Sequence, residues 1–277
     1  MNAGTTKESF LIRYRYWIML LGIVVFLPPL SVVFQFTKDS SFCGLWCPRM
    51  FFVWRQGTTV GQYLMGFLRS YMGVTLVLGV LLTTFFFGRY FCSHLCPIGG
   101  TTETGSMLVP RFLKINYSDI PSLPVRYGYF SVYLLAPLVG IGSICCSYCN
   151  FATIPRLFGS AFSHADAAYF LRTAGIINLG LIVVLGFLAR GGRAYCNLLC
   201  PIGALDAISN RLGSKFGKRV RVDMSKCDAC GACQEVCPMW SIDVKEKAKV
   251  DQLSCIPCRI CEKICPKDAV RYGPIKR

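Results

Sequence analysis

Apolar residues in this chain come in long uncharged blocks rather than at the spacing of an amphipathic surface helix. Residues 16–36, 70–88, 127–144 and 173–189 contain no Asp, Glu, Lys or Arg. Each block is close to the roughly 17–25 residues that cross a hydrocarbon layer about 30 Å thick. The pattern therefore predicts a membrane α-helical protein with four transmembrane helices. The first block has no small-residue cleavage site and contains Pro28 and Pro29, which argues against a signal peptide. Between the blocks, the aromatic stretch around Phe51, Phe52, Trp54, Tyr63 and Phe67 has the composition of a segment lying at a membrane interface or around a quinone. Segment 100–125, with Pro110, Pro121 and Pro124, reads as an irregular link. After residue 221 the blocks stop, and a small α+β domain is expected.

The blocks frame an internal repeat. Residues 88–99, GRYFCSHLCPIG, return as 192–203, GRAYCNLLCPIG, with eight of twelve positions identical. Each copy has a C-x3-C-P pair just after an apolar block: Cys92 and Cys96, then Cys196 and Cys200. A second kind of pair precedes each block, Cys43 and Cys47 in the first half and Cys145 (or Cys146) and Cys149 in the second. The separations agree, 49 residues from Cys43 to Cys92 and 51 from Cys145 to Cys196. The expected organisation is an N-terminal tail (1–13), a four-helix membrane domain (14–210) made of parallel repeats 14–100 and 125–204, a basic linker (211–221) and a C-terminal domain (222–277).

Two repeats of two spans insert in the same sense, so matching pairs meet at one depth. Cys92, Cys96, Cys196 and Cys200 then form an inner set of four thiols suited to an iron–sulfur cluster. Cys43, Cys47, Cys145 and Cys149 form an outer set, where a cluster competes with disulfides. The Pro after the second cysteine is expected to stop a helix from running through the site. His94 lies inside a pair, but its repeat partner is Leu198, so it reads as a hydrogen-bonding residue rather than a ligand. With only 2 histidines a bis-histidine haem is not expected, and there is no C-x-x-C-H for a covalent one.

Composition supports the membrane reading: 53% of the residues are hydrophobic, and the mean hydropathy is +0.47. The formal net charge of +16 raises a nucleic-acid reading, which the placement of the charges removes. Lys7, Arg13 and Arg15 precede the first block, Arg89, Arg111, Lys114 and Arg126 separate the second and third, and Arg211, Lys215, Lys218, Arg219 and Arg221 follow the fourth. This is a positive-inside pattern with both termini cytoplasmic, in which residues 211–221 lie against anionic head groups. Arg69 and Arg172 occupy matching places near the outer ends of the second and fourth blocks. They read either as holding an outer anionic cluster or a quinone oxygen, or as snorkelling to head groups.

The strongest signal is in the tail, which holds eight of the 17 cysteines. They stand as Cys227-x2-Cys230-x2-Cys233-x3-Cys237-Pro and Cys255-x2-Cys258-x2-Cys261-x3-Cys265-Pro. This is two-cluster ferredoxin spacing, in which the fourth cysteine of each run serves the other cluster. Cys227, Cys230, Cys233 and Cys265 are expected to hold one [4Fe–4S] cluster, and Cys255, Cys258, Cys261 and Cys237 the second. A zinc ribbon would leave half of these cysteines idle.

With four apolar blocks, the inner pairs ending in Pro97 and Pro201 and two ferredoxin runs, the chain resembles the NapH/MauN group of membrane ferredoxins. It is more distantly similar to the C-terminal half of NosR and to CcoG-type proteins. The resemblance implies a subunit of the bacterial cytoplasmic membrane, of quinol dehydrogenase type, that relays electrons from quinol to a ferredoxin-like partner of a reductase or oxidase. The outer pairs depart from the group's pattern and suggest a path through the membrane. Two other functions fit the cysteines: a metal-handling protein such as a copper reductase or assembly factor, since soft thiolates select Cu(I), and a redox sensor with outer thiols cycling to disulfide. Expected partners are the lipid bilayer, other redox subunits and a quinone, with no nucleic acid.

Overall fold

The computed structural model describes residues 13–26, 59–69, 71–139 and 148–274. The larger part is helical: α1 (Arg15–Phe26), α2 (Val60–Arg69), α3 (Tyr71–Phe87), α4 (Pro97–Leu108), α5 (Ser122–Leu138), α6 (Asn150–Gly159), α7 (His164–Tyr169), α8 (Thr173–Ile182), α9 (Ala194–Leu198) and α10 (Pro201–Gly213). A smaller part follows, β1 (Arg219–Val222), α11 (Ala232–Glu235), β2 (Ile242–Val244), β3 (Ala248–Val250), α12 (Ile260–Ile264) and β4 (Val270–Gly273).

Among the described residues no helix is long and apolar enough to cross a membrane. This corrects the expectation of four transmembrane helices, and the reasons are local. The apolar helix α3 has 17 residues, about 25 Å at 1.5 Å per residue, and stops where Gly88 takes φ +85°. The third block yields α5, which begins in the polar stretch at Ser122 and has Pro137 inside it. The fourth is divided, since α8 has 10 residues and passes into a π-helical turn at Val183–Phe187. Apolar composition is thus spent on shorter helices with bends between them.

Each repeat turns sharply before its cysteine pair. Gly88 and Gly192 both have positive φ, +85° and +69°, a conformation that favours glycine. The chain then makes a π-helical turn, Phe91–Leu95, around Cys92, or the short helix α9 around Cys196. Pro97 and Pro201 do not merely end a helix, as the sequence suggested. They open α4 and α10, where the missing N–H costs nothing and the fixed φ suits the first turn. The segment expected as an irregular link therefore begins as a buried helix, with Ile98, Thr102, Glu103 and Ser106 inside the protein. Ile23, Ile98, Ile154, Ile182 and Tyr195 form the core beside the repeated pairs, with Cys96 and Cys200 packed against them.

The tail folds as two antiparallel hairpin-like sheets. β1 pairs with β4, from Arg219 opposite Gly273 to Val222 opposite Val270. β2 pairs with β3, from Ile242 opposite Val250 to Val244 opposite Ala248. Arg219 is not a lipid-facing charge: it is 2% exposed and donates from Nη2 to Thr84 O at 2.8 Å and Phe85 O at 3.1 Å. Both carbonyls lie in the last turn of α3, so this side chain ties the tail to the helical part.

A Cβ added at Gly192 would lie 2.5 Å from Thr102 O and 2.6 Å from Glu103 Cα. Gly192→Ala is therefore expected to lower stability by roughly 1–3 kcal/mol, measured by thermal unfolding. Gly128→Ala, at a site with open space around it, should be neutral or mildly stabilising.

Candidate iron–sulfur sites

The fold brings the two repeated pairs together. Burial pushes the Cys96 thiol up to about 11 and the Cys200 thiol up to about 12, and the next largest influence on each is the neighbouring Cys196. Cys92 is raised well above its usual value, first by burial and then by the Asp206 carboxylate, with Arg89 opposing and Cys96 and Cys200 adding to the rise. Two sulfurs are also held by hydrogen bonds: Gly203 N donates to Cys200 Sγ at 3.3 Å, and the Cys92 thiol donates to Asp206 Oδ2 at 3.3 Å. First-half and second-half thiols thus share one buried space.

Around them is a buried exchange of charge between the repeats. Arg89, in the first, donates from Nε to Asp206 Oδ2 at 2.9 Å, just past the second, and from Nη2 to Gly203 O at 3.3 Å within it. Arg193, in the second, donates from Nε to Glu103 Oε2 at 2.8 Å, just past the first, and from Nη1 to Cys92 O at 2.7 Å within it. Arg15 adds a second cation to Glu103 at 2.7 Å. Sequence reading took Arg15, Arg89 and Arg126 as free charges at a membrane face; all three are buried. The signal for Arg89 and Arg193 was present, because the Gly-Arg pair is among the identical repeat positions. No sequence signal singled out Glu103 or Asp206.

In the tail, the sulfurs lie in two adjoining neighbourhoods. Cys255 is raised by burial and by Cys237 and Cys258. Cys261 is raised by burial and then by Cys258, Cys255, Cys237 and Cys233. Cys227, Cys230, Cys233 and Cys265 line one small cavity with Ala229, Gly231 and Ala232. In each run the residue after the second cysteine is left-handed, Gly231 at φ +79° and Arg259 at φ +60°, which curls the backbone around the thiols. Backbone amides reach three sulfurs: Ala248 N to Cys227 at 3.5 Å, Ser241 N to Cys237 at 3.4 Å and Ala269 N to Cys265 at 3.3 Å. Such bonds stabilise a ligating thiolate and tune a cluster's potential.

The donors fit iron–sulfur clusters: each group offers four soft sulfurs, all but the exposed Cys230 at least partly buried, with backbone amides close by. Among the described residues no three His, Cys, Asp or Glu side chains gather to hold a single metal ion, a convergence that a polynuclear core bound at its corners does not require. Of the outer set, Cys43, Cys47, Cys145 and Cys146 lie outside the described residues. Cys149 caps the start of α6 and is an electrostatic neighbour of the buried Tyr195. Arg69 closes α2, and its side chain lies outside the described residues. Arg172 is exposed at the start of α8.

Beside the π-helical turn lies an apolar cavity of about 750 Å³, lined by Ile18, Tyr71, Thr75, Leu76, Gly79, Val80, Thr83, Tyr90, Phe91, His94 and Leu95. Arg172 does not line it. His94 is buried, with Nδ1 2.6 Å from Ser93 Oγ and its ring 5.0 Å from that of Tyr90. Sequence reading missed this cavity, because its walls come from three separate segments.

The 4Fe–4S binding domain family matches residues 70–116 and 171–219, and a second 4Fe–4S binding domain family matches 220–239. The first match falls once on each repeat. The ferredoxin-type protein NapH of Haemophilus influenzae is 30% identical over 152 residues, 54% of this chain and 47% of that protein. The methylamine utilization ferredoxin-type proteins MauN of Methylobacillus flagellatus and Paracoccus denitrificans are 28% and 27% identical, over 57% and 58% of this chain and 52% and 54% of theirs. Over rather more than half of its length the chain is similar to the NapH/MauN-type ferredoxin proteins. It spans about half the length of these relatives. No solved structure matches it. The matches to 4Fe–4S binding domains fall in both repeats and in the tail, which supports 4Fe–4S clusters in this chain.

Within this protein, Cys237→Ser is expected to perturb the same EPR signal as Cys255→Ser and to leave the signal lost in Cys230→Ser unchanged. The reverse pairing would show that each run serves its own cluster.

Proposed function

We propose that this protein is an electron-transfer protein in which three sets of four cysteines each hold a [4Fe–4S] cluster in a row. The repeat set is Cys92, Cys96, Cys196 and Cys200, the middle set Cys237, Cys255, Cys258 and Cys261, and the end set Cys227, Cys230, Cys233 and Cys265. The observation that carries this is the order of the sets. Cys92 packs with Cys237 and Cys258 around Met239 and Ile256, and Cys237, Cys255 and Cys261 pack with Cys227, Cys233 and Cys265 around Val220 and Ile242. Cys230, in the end set, is exposed. Iron–sulfur clusters supply one-electron transfer when bound, and the chain supplies position, hydrogen bonds and a low dielectric around them.

A quinol in the apolar cavity is the electron donor in this reading. The cavity volume suits a ring with an apolar tail, and Phe91 and His94, which line it, flank Cys92 and Ser93 in sequence. Oxidation of the quinol to quinone delivers its two electrons singly to the repeat set and its two protons to water. The exposed end set serves a redox partner. The site of action is the cytoplasmic face of a bacterial inner membrane, a proposal supported by apolar side chains left exposed on α1 and α3, Trp17 at 69%, Leu21 at 61% and Leu82 at 62%.

Anaerobically purified protein is expected to hold roughly twelve irons per chain, four for each set, with copper absent. About eight irons, with copper at the repeat set, would favour metal handling instead. Gly79→Phe fills the cavity from a position with open space around its Cα. It is expected to lower the rate of cluster reduction by a quinol at least tenfold, followed by absorbance, while chemical reduction is unchanged. An unaltered quinol rate would place the donor elsewhere.

A further inference from the structure

The charge balance around the repeat set is uneven. Arg15, Arg89, Arg126 and Arg193 are each 1% or 2% exposed, and the carboxylates that meet them there are Glu103 and Asp206. Glu103 is shared, at 2.7 Å from both Arg15 Nη2 and Arg193 Nη2. Among the described residues Arg126 meets no carboxylate in hydrogen bonds, and Asp251 is its only carboxylate among the main electrostatic influences; it donates to Asn197 O at 2.7 Å and to Leu253 O at 2.9 Å. Burial, with the charge of Arg89 next, pulls Arg126 down to about 10, as expected where positive charge is in surplus. Arg15 Nη1 and Arg193 Nη2 also lack an aligned hydrogen bond, the latter despite its short distance to Glu103.

Burying uncompensated charge is costly unless another charge shares the space. Four thiolates outweigh the positive charge of the iron–sulfur core they bind, so a cluster in the repeat set brings negative charge to this surplus. The placement is close to twofold. Arg89 has Cys92 of its own repeat and Cys200 of the other among its electrostatic neighbours, and Arg193 has Cys196 of its own and Cys96 of the other.

We propose that Arg89 and Arg193 form a cross-repeat charge lock: positioning residues that hold the two cysteine pairs at one spacing and make the cluster between them easier to reduce. Asp206 and Glu103 fix the guanidinium groups and oppose part of their charge. The lock rests on reading the repeat set as a cluster site, and the experiment separates the two. The full chain is purified anaerobically, and the EPR signal removed by Cys96→Ser is titrated against potential. If Cys96→Ser removes no signal, the cluster reading fails and the lock with it, before any arginine is changed.

With the signal present, Arg193→Gln is expected to lower the reduced-to-oxidised ratio about tenfold at the wild-type midpoint, equivalent to about 59 mV for a one-electron couple. Arg193→Lys keeps the charge and is expected to stay much closer to wild type in potential. Asp206→Asn keeps all four arginines and is expected to move the potential upward, the opposite sense. That variant decides the matter if Arg193→Gln does not assemble. A potential unchanged or lowered in Asp206→Asn, or unchanged in an iron-replete Arg193→Gln, overturns the proposal.

Discussion

The exchange of guanidinium groups between the two repeats is the constraint on which the rest of the structure depends. Each half contributes one arginine that finds its carboxylate only in the other half, Arg89 with Asp206 and Arg193 with Glu103. Removing one partner of such a buried pair typically costs about 3–5 kcal/mol, because the remaining charge has lost its counter-charge and cannot return to water. The halves are therefore held in a single relation, and the cysteine pairs beside the arginines are held with them. Arg89 also donates to Leu253 O at 3.4 Å, and Arg126 meets the same carbonyl, two residues before Cys255. The charge network thus fixes the tail against the repeats as well as the repeats against each other.

The tail uses different physics for the same end. Its strands are 3 or 4 residues long, too short to make a stable sheet alone. Its core contains six of the cysteines beside Val220, Ile242 and Val270. A domain whose interior is made largely of thiols depends on what those thiols bind, as small metal-binding domains generally do. The strained backbone of Arg259 fits this view. A non-glycine residue in the left-handed region is disfavoured, and here its side chain is anchored by two bonds to Glu262, at 2.6 and 3.0 Å, and lies over the Tyr272 ring.

The apolar blocks have a more mixed outcome. Length and hydropathy suggested simple membrane spans, yet the described helices are shorter than a span and are broken by a glycine turn, an internal proline and a π-helical turn. Those breaks are where function gathers. The turn at Gly88 leads to Cys92, and the π-helical turn at Phe91–Leu95 places His94 on one side of the apolar cavity while Cys92 faces the carboxylate of Asp206. Irregular backbone inside helices recurs at functional sites because it re-aims side chains that a straight helix would present on one fixed face.

The sequence alone determined the repeat and the two ferredoxin runs, because covalent spacing limits which thiols can reach a common centre and because left-handed positions such as Gly231 leave a compositional mark. Only the tertiary structure decided that Arg89 and Arg193 exchange partners across the repeats, that Arg126 and Arg219 are buried rather than spread on a surface, and that Ile18 meets residues from 71–95, more than 50 positions further on, in the cavity wall. A charge in a sequence carries no record of its counter-charge. Pairing and desolvation are settled when helices far apart in the chain meet, and that meeting converted residues that looked like surface charges into the frame of the site.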